Sequence, residues 1–203
     1  MCSHFSIASM SEINSFLREL NLPVVNANDD PSNNDEATEI YPNIQAPVLI
    51  YQNNQLQLNK LNWGFENPID KRKPPIFNAR IERFYEAKPS MWDQAFAQQR
   101  CLIIAARFYE SHPTETVKSA KTGRSMKRPY QFKLADQDLF FIAGIYEADH
   151  FAMVTTEPNE AVRPYHNRMP LLLEPAEIRT WLFQNFTELV NRSTISLDIR
   201  PAE

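Results

Sequence analysis

Glycine is nearly missing from this chain: 3 residues in 203, against 15 prolines. Turns must therefore be made mostly by Pro, Asn and Asp, and the loops should be stiff. Cysteine is as scarce. Cys2 and Cys101 are the only two, which excludes a disulfide framework, and the four histidines show neither CxxC nor HxxxH spacing. No metal and no organic cofactor are expected. No apolar run approaches the roughly 18 residues that span a bilayer, and the N-terminus lacks the basic start and apolar stretch of a signal peptide. The expectation is a cytoplasmic protein with no membrane partner. Net positive charge is also missing. A formal balance of -4 argues against a general nucleic-acid coat.

What is present is ordinary for a globular protein: 43% hydrophobic and 23% charged residues, at a length suited to one domain over 1–203, with a monomer as the simplest state. The charge is uneven along the chain. Residues 26–40 hold five acids (Asp29, Asp30, Asp35, Glu36, Glu39) and no base, in Asn-rich sequence that reads as a solvated loop. Residues 112–130 hold five bases (Lys118, Lys121, Arg124, Lys127, Arg128) against Glu115 alone, and read as a second mobile loop. A smaller basic island, "DKRK", spans 70–73. Each island is either a solvated surface or a track for phosphates.

Apolar periodicity predicts three helices. One is capped by Ser11 and carries Ile13, Phe16, Leu17 and Leu20; one begins at Ser90 with Asp93 as its capping-box partner and runs toward Gln99. The third starts near Pro175 and carries Ile178, Trp181, Leu182, Leu189 and Val190. Between them lie β-branched and aromatic runs such as "APVLIYQ", "CLIIAARFYE", "YQFKL", "LFFIAGIYE", "FAMVTT" and "STISLDI". Strands outnumber helices and do not alternate with them. The fold class is therefore α+β, with a curled mixed or antiparallel sheet and peripheral helices.

Candidate chemistry begins at Cys2. Removal of Met1 would leave a β-aminothiol, whose amine (reference pKa about 7.7–8.0) and thiol (about 8.5) both have free-base fractions near neutrality. Such a pair can condense with an aldehyde to a Schiff base and then a thiazolidine, or can attack an acyl carbon as an N-terminal nucleophile. Glu110 ends an apolar strand, where a carboxyl is either a solvated terminus or an acid with a raised pKa. His166 lies in a loop between Pro164 and Pro170. Asn78 and Arg80 alternate on "FNAR" and share a face if extended. Trp63 in "NWGF" is core packing or a stacking surface for a base, with Gly64 allowing close backbone approach.

The set "MC", "NWGF", "FNARIE", "RCLIIAARFYE", "FIAGIYE" and "VTTEPNEAVRPYHNRMP", in this order, resembles the SOS response-associated peptidase (SRAP) family from Cys2 to about Pro175. The resemblance implies a compact mixed fold around a β-barrel-like core and a groove for single-stranded DNA. It implies covalent capture of abasic sites by the mature N-terminal cysteine, and a family-associated peptidase activity. By that likeness Cys2 is the crosslinking residue, and Asn78 positions it or its adduct. Glu110 is general acid or base, and His166 shuttles a proton for ring opening. Arg80 and Arg168 grip phosphates, and Trp63 is an apolar wall beside an unstacked base. The sequence departs from the family pattern at Ser3-His4, where Gly-Arg is usual, and at Arg107 and Ser111, where Gly and Trp are usual. Two alternatives stay open: a cysteine peptidase or amidase in the same pocket, and a DNA- or protein-binding module with a vestigial site.

Overall fold

The computed structural model describes residues 2–26, 36–120 and 122–202. Along the chain run β1 (Phe5–Ile7), α1 (Met10–Glu19), β2 (Val24–Asn26), β3 (Thr38–Ile40), β4 (Gln45–Gln52), β5 (Gln55–Trp63), β6 (Asn78–Arg80) and α2 (Asp93–Gln98). There follow β7 (Arg100–Ala105), β8 (Arg107–Lys118), β9 (Ser125–Leu134), β10 (Phe140–Glu147), β11 (His150–Thr156), β12 (Met169–Pro170), β13 (Leu172–Leu173), α3 (Ile178–Phe183) and β14 (Leu197–Pro201).

Two-residue alternation decides which core each strand serves. On β7, Cys101, Ile103 and Ala105 face one apolar cluster, while Leu102 and Ile104 face another. The second cluster is roofed by helical residues: Ile13 and Leu17 of α1, Phe96 of α2, Trp181 of α3. Both faces of β7 are thus buried, each large apolar side chain contributing about 1.5–3 kcal/mol.

The sheet curls shut. β4 pairs antiparallel with β5 and β7, β7 with β10, and β10 with β11. β11 then returns to β5 through the parallel pairs His150↔Asn62 and Phe151↔Trp63, closing a ring of five strands. The fold is the expected α+β class with a barrel-like core. A second sheet, in the order β14-β9-β8-β1-β3, contributes Phe5, Phe108 and Phe132 to the same cluster as Cys101. This seam between ring and second sheet also takes in Cys2. No helix among the described residues is long and apolar enough to cross a membrane.

Several local expectations change. The cap of α1 is Ser9: its hydroxyl accepts the Glu12 N–H at 3.2 Å and the Glu12 carboxylate accepts the Ser9 N–H at 2.9 Å. Ser90 and Asp93 form the anticipated bond, Ser90 N–H to Asp93 Oδ2 at 2.9 Å, but the α-helix proper begins at Asp93. The third helix stops at Phe183, because Asn185 Oδ1 accepts the Thr187 N–H at 3.0 Å and starts a separate 3-10 turn over Thr187–Val190.

The basic stretch 112–130 is not a loop but the arm of the β8–β9 hairpin, paired out to Lys118↔Ser125. The acidic stretch is bounded by strand: Val24–Asn26 precedes it and Thr38–Ile40 belongs to its end. Asp29, Asp30 and Asp35, like Lys121, lie outside the described residues.

Candidate active site

β1 runs antiparallel to β8, with Phe5 opposite Phe108 and the Tyr109 N–H donated to the His4 carbonyl at 3.0 Å. The pairing draws the amino-terminal residues along β8 toward Glu110. Alternation on β8 turns Phe108 and Glu110 inward and leaves Arg107 exposed. From the barrel side comes β6, which lies parallel to β11 with Asn78 opposite Met153. The Asn78 Nδ2–H donates to the Cys2 carbonyl at 2.7 Å. Its Oδ1 is buried with no hydrogen-bond partner among the described residues.

Cys2 is 1% exposed, and its Sγ–H donates to the His4 carbonyl at 3.3 Å. Burial first, and the charge of Glu110 second, push the thiol up to about 12. It is a neutral S–H at physiological pH. Burial also lifts the Glu110 carboxyl to about 7, against the opposing amino-terminal charge. A carboxyl in that range can give a proton and take it back at neutral pH.

His166 sits in the connection between β11 and β12, a turn held by its own N–H and that of Tyr165, both donated to Val162 O. The Arg168 N–H donates to His166 Nδ1 at 3.0 Å. The same Nδ1 lies 3.2 Å from the Arg168 carbonyl, so the Arg168 backbone engages that nitrogen in either tautomer. Burial, with the amino-terminal charge next, lowers its pKa and so favours the neutral imidazole.

The other expected residues divide. Arg80 is exposed, and its side chain pairs with no acid among the described residues. Arg168 is buried instead: its Nη1 and Nη2 donate to the two Glu82 oxygens at 2.8 Å each, and Nη2 also donates to Thr155 O at 2.7 Å. A guanidinium so committed is an anchor that ties the His166 loop to β11 and to the turn after β6. Burial pushes Glu82 up, but the Arg168 bonds outweigh it and hold the carboxylate below its ordinary range.

Trp63 is fully buried. It is packed edge-on against Phe5 and Phe77, and its indole N–H donates to Phe77 O at 2.8 Å. It offers no open face to a base; it fixes the residue before Asn78. Gly64, at φ +122°, makes the expected close approach, since a Cβ there would lie 2.9 Å from Pro75 Cβ.

The family model for SOS response associated peptidase (SRAP) matches residues 1–198. This chain belongs to the SRAP family. Its relatives include the abasic site processing protein YoqW of Bacillus subtilis (strain 168), 29% identical over 196 residues, covering 90% of this chain and 80% of that protein. Another is the abasic site processing protein YMR114C of Saccharomyces cerevisiae, 27% identical, covering 86% and 53%. A third is the abasic site processing protein YedK of Escherichia coli (strain K12), 26% identical, covering 73% and 65%. Crystal structures of proteins from Bacteroides thetaiotaomicron and Bordetella bronchiseptica share the fold at TM-scores of 0.72 and 0.71, each 19% identical. Both alignments cover 100% of this chain, and 92% and 100% of those proteins.

His4 is sandwiched between Tyr41 (4.3 Å between ring centroids) and Tyr109 (3.9 Å), and its Nε2 pairs with Glu39. Tyr109 Oη donates to the other Glu39 oxygen at 3.2 Å. Sequence reasoning missed this cluster, and nothing in the sequence links Glu39 to His4. Glu82 was also missed, although it closes the quoted run "FNARIE".

Proposed function

We propose that this protein acts on abasic sites in single-stranded DNA and captures them covalently through Cys2 once Met1 is removed. The observation that carries this reading is the junction at Cys2: its carbonyl is held by Asn78, its thiol by the His4 carbonyl, and a carboxyl near neutrality acts on it. Family membership and the names of the relatives from Bacillus, yeast and Escherichia coli support the substrate.

A thiol at about 12 makes the freed α-amine the first nucleophile. Its lone pair adds to the aldehyde carbon of the opened sugar and gives a carbinolamine. Protonated Glu110 donates to the carbinolamine hydroxyl, which leaves as water, and an iminium forms. The Glu110 carboxylate then takes the thiol proton as sulfur adds to the iminium carbon, closing the thiazolidine and restoring the acid. The net change is amine, thiol and aldehyde to thiazolidine and water. His166, its Nδ1 held by the Arg168 backbone, serves the opening of the sugar ring, and exposed Arg80 serves a flanking phosphate. Arg168 and Trp63 hold His166 and Asn78 in place. A cysteine peptidase or amidase would need a thiolate, which this buried S–H disfavours.

The test is denaturing electrophoresis of the Met1-processed protein with single-stranded DNA carrying one abasic site. A slow band that needs both the lesion and Cys2 is expected. No band, with the free amino terminus verified by mass spectrometry, would overturn the proposal; lesion binding without a covalent product would favour a non-catalytic module.

A further inference from the structure

The hairpin arm of β8 and β9 is absorbed by neither the barrel nor the chemistry at Cys2. Its register pairs Thr116 with Lys127 and Lys118 with Ser125. Cross-strand partners share a face, so Lys118 and Lys127 stand on one side of the arm, diagonal neighbours about 7–8 Å apart. Both are exposed, as is Arg124 at the turn, and none of the three side chains pairs with an acid among the described residues. The one acid of the arm is already engaged: Glu115 accepts from Tyr130 Oη at 2.8 Å and pairs with Arg128 at 3.5 Å and His112 at 3.6 Å.

The other basic island lacks this character. In 70–73, Lys71 pairs with Glu66 at 2.7 Å and Arg72 with Asp70 at 3.0 Å, so two of its three bases are met locally and only Lys73 is left unpaired among the described residues.

The arm is also fastened to the active-site loop. Tyr165, next to His166, packs against Tyr130 (4.7 Å), Phe132 (5.2 Å) and His112 (5.6 Å), all at the base of the hairpin. Lys127 lies close enough to His166 for its charge to act on that ring. A phosphate backbone leaving the site past His166 would meet unpaired cations.

We infer that the face of the β8–β9 hairpin bearing Lys118 and Lys127, with Arg124 at its tip, binds the phosphate backbone of the DNA strand flanking the lesion. The contact reads charge and spacing, not bases. It rests on the DNA reading above, but it is a property of undamaged strand and needs no covalent step.

The experiment is equilibrium binding of a fluorescent, undamaged single-stranded oligonucleotide over a salt series, comparing the wild-type protein with K118Q/R124Q/K127Q. Each phosphate contact contributes roughly 0.7 to the slope of log affinity against log salt, so three lost contacts should flatten it by about 2. The charge-conserving K118R/R124K/K127R should keep the wild-type slope, and thermal melting should match in all three because the positions are exposed. An unchanged slope in the glutamine variant would overturn the inference even if the wild-type protein crosslinks abasic DNA. A flattened slope would uphold it even if no crosslink forms, in which case the chemistry proposed for Cys2 falls alone.

Discussion

The two cysteines share burial and differ in everything around it. Cys101 is wholly enclosed on β7. Its carbonyl accepts the Trp181 indole N–H at 2.9 Å, and burial alone raises its thiol. It fills space opposite Gly144, where a Cβ would come within 2.8 Å of its sulfur. Cys2 is as deeply enclosed, yet a carboxyl, an amide and a backbone carbonyl converge on it. Burial by itself makes a thiol inert. What makes Cys2 a candidate reagent is a set of polar groups kept at the seam between two sheets, beside an amine that only terminal processing exposes.

The comparison breaks most sharply by exchange. Cys101→Ala should leave the lesion-dependent covalent band intact on the gel, whereas Cys2→Ala should remove it entirely. Cys2→Ser should retain an imine that borohydride can trap but lose the thiazolidine.

Next in size is the carboxyl. Glu110→Gln should slow adduct formation by about 10²–10⁴-fold, and the wild-type rate should trace a bell in pH, falling on the acid side as the α-amine is protonated and on the alkaline side as the acid form of a carboxyl at about 7 is lost. Its folded pKa lies above the ordinary carboxyl value. The stability gained from keeping it protonated is therefore complete at low pH and is lost as pH climbs to about 7. Urea melts from pH 4.5 to 7 should show the wild-type protein losing about 2 kcal/mol relative to the glutamine variant.

Asn78→Ala should cost about 10–100-fold in adduct rate, through loss of the bond to the Cys2 carbonyl, with only about 1 kcal/mol lost in melting. The smallest chemical effect belongs to the other cysteine's neighbourhood. Gly144→Ala should destabilise by about 1–3 kcal/mol in denaturant melts and leave the adduct rate at saturating DNA unchanged.

Legibility followed the physics of each signal. Four of the five strands of the ring were readable because β-branched and aromatic runs in β4, β7, β10 and β11 are buried on both faces, whereas the polar, half-exposed β5 was not. The hairpin arm was not. Residues 112–130 are mostly exposed on both faces, so no apolar alternation marks them, and charge without period reads as loop. The Ser9 cap was present in the sequence as Ser9-x-x-Glu12, but Ser11 stands nearer the first apolar residue of the stripe. Trp63 and Arg168 carried family roles at the DNA surface. Their neighbours Phe5, Phe77 and Glu82 are distant in sequence or supplied only by folding.

The order of residue types along the chain determined by itself that this is a mostly β, α+β protein of the SRAP family, and it singled out Cys2, Asn78, Glu110 and His166 as candidates for its chemistry. Apolar periodicity is local, and the family motifs are contiguous. Only the tertiary structure decided that Arg168 is spent on Glu82, that Trp63 lies in the core, that His4 is clamped by Tyr41, Tyr109 and Glu39, and that Lys118, Arg124 and Lys127 stand unpaired among the described residues while Lys71 and Arg72 meet acids. Those outcomes depend on which groups meet across tens of residues, and on how much water the meeting excludes. Neither quantity is a property of any stretch of sequence.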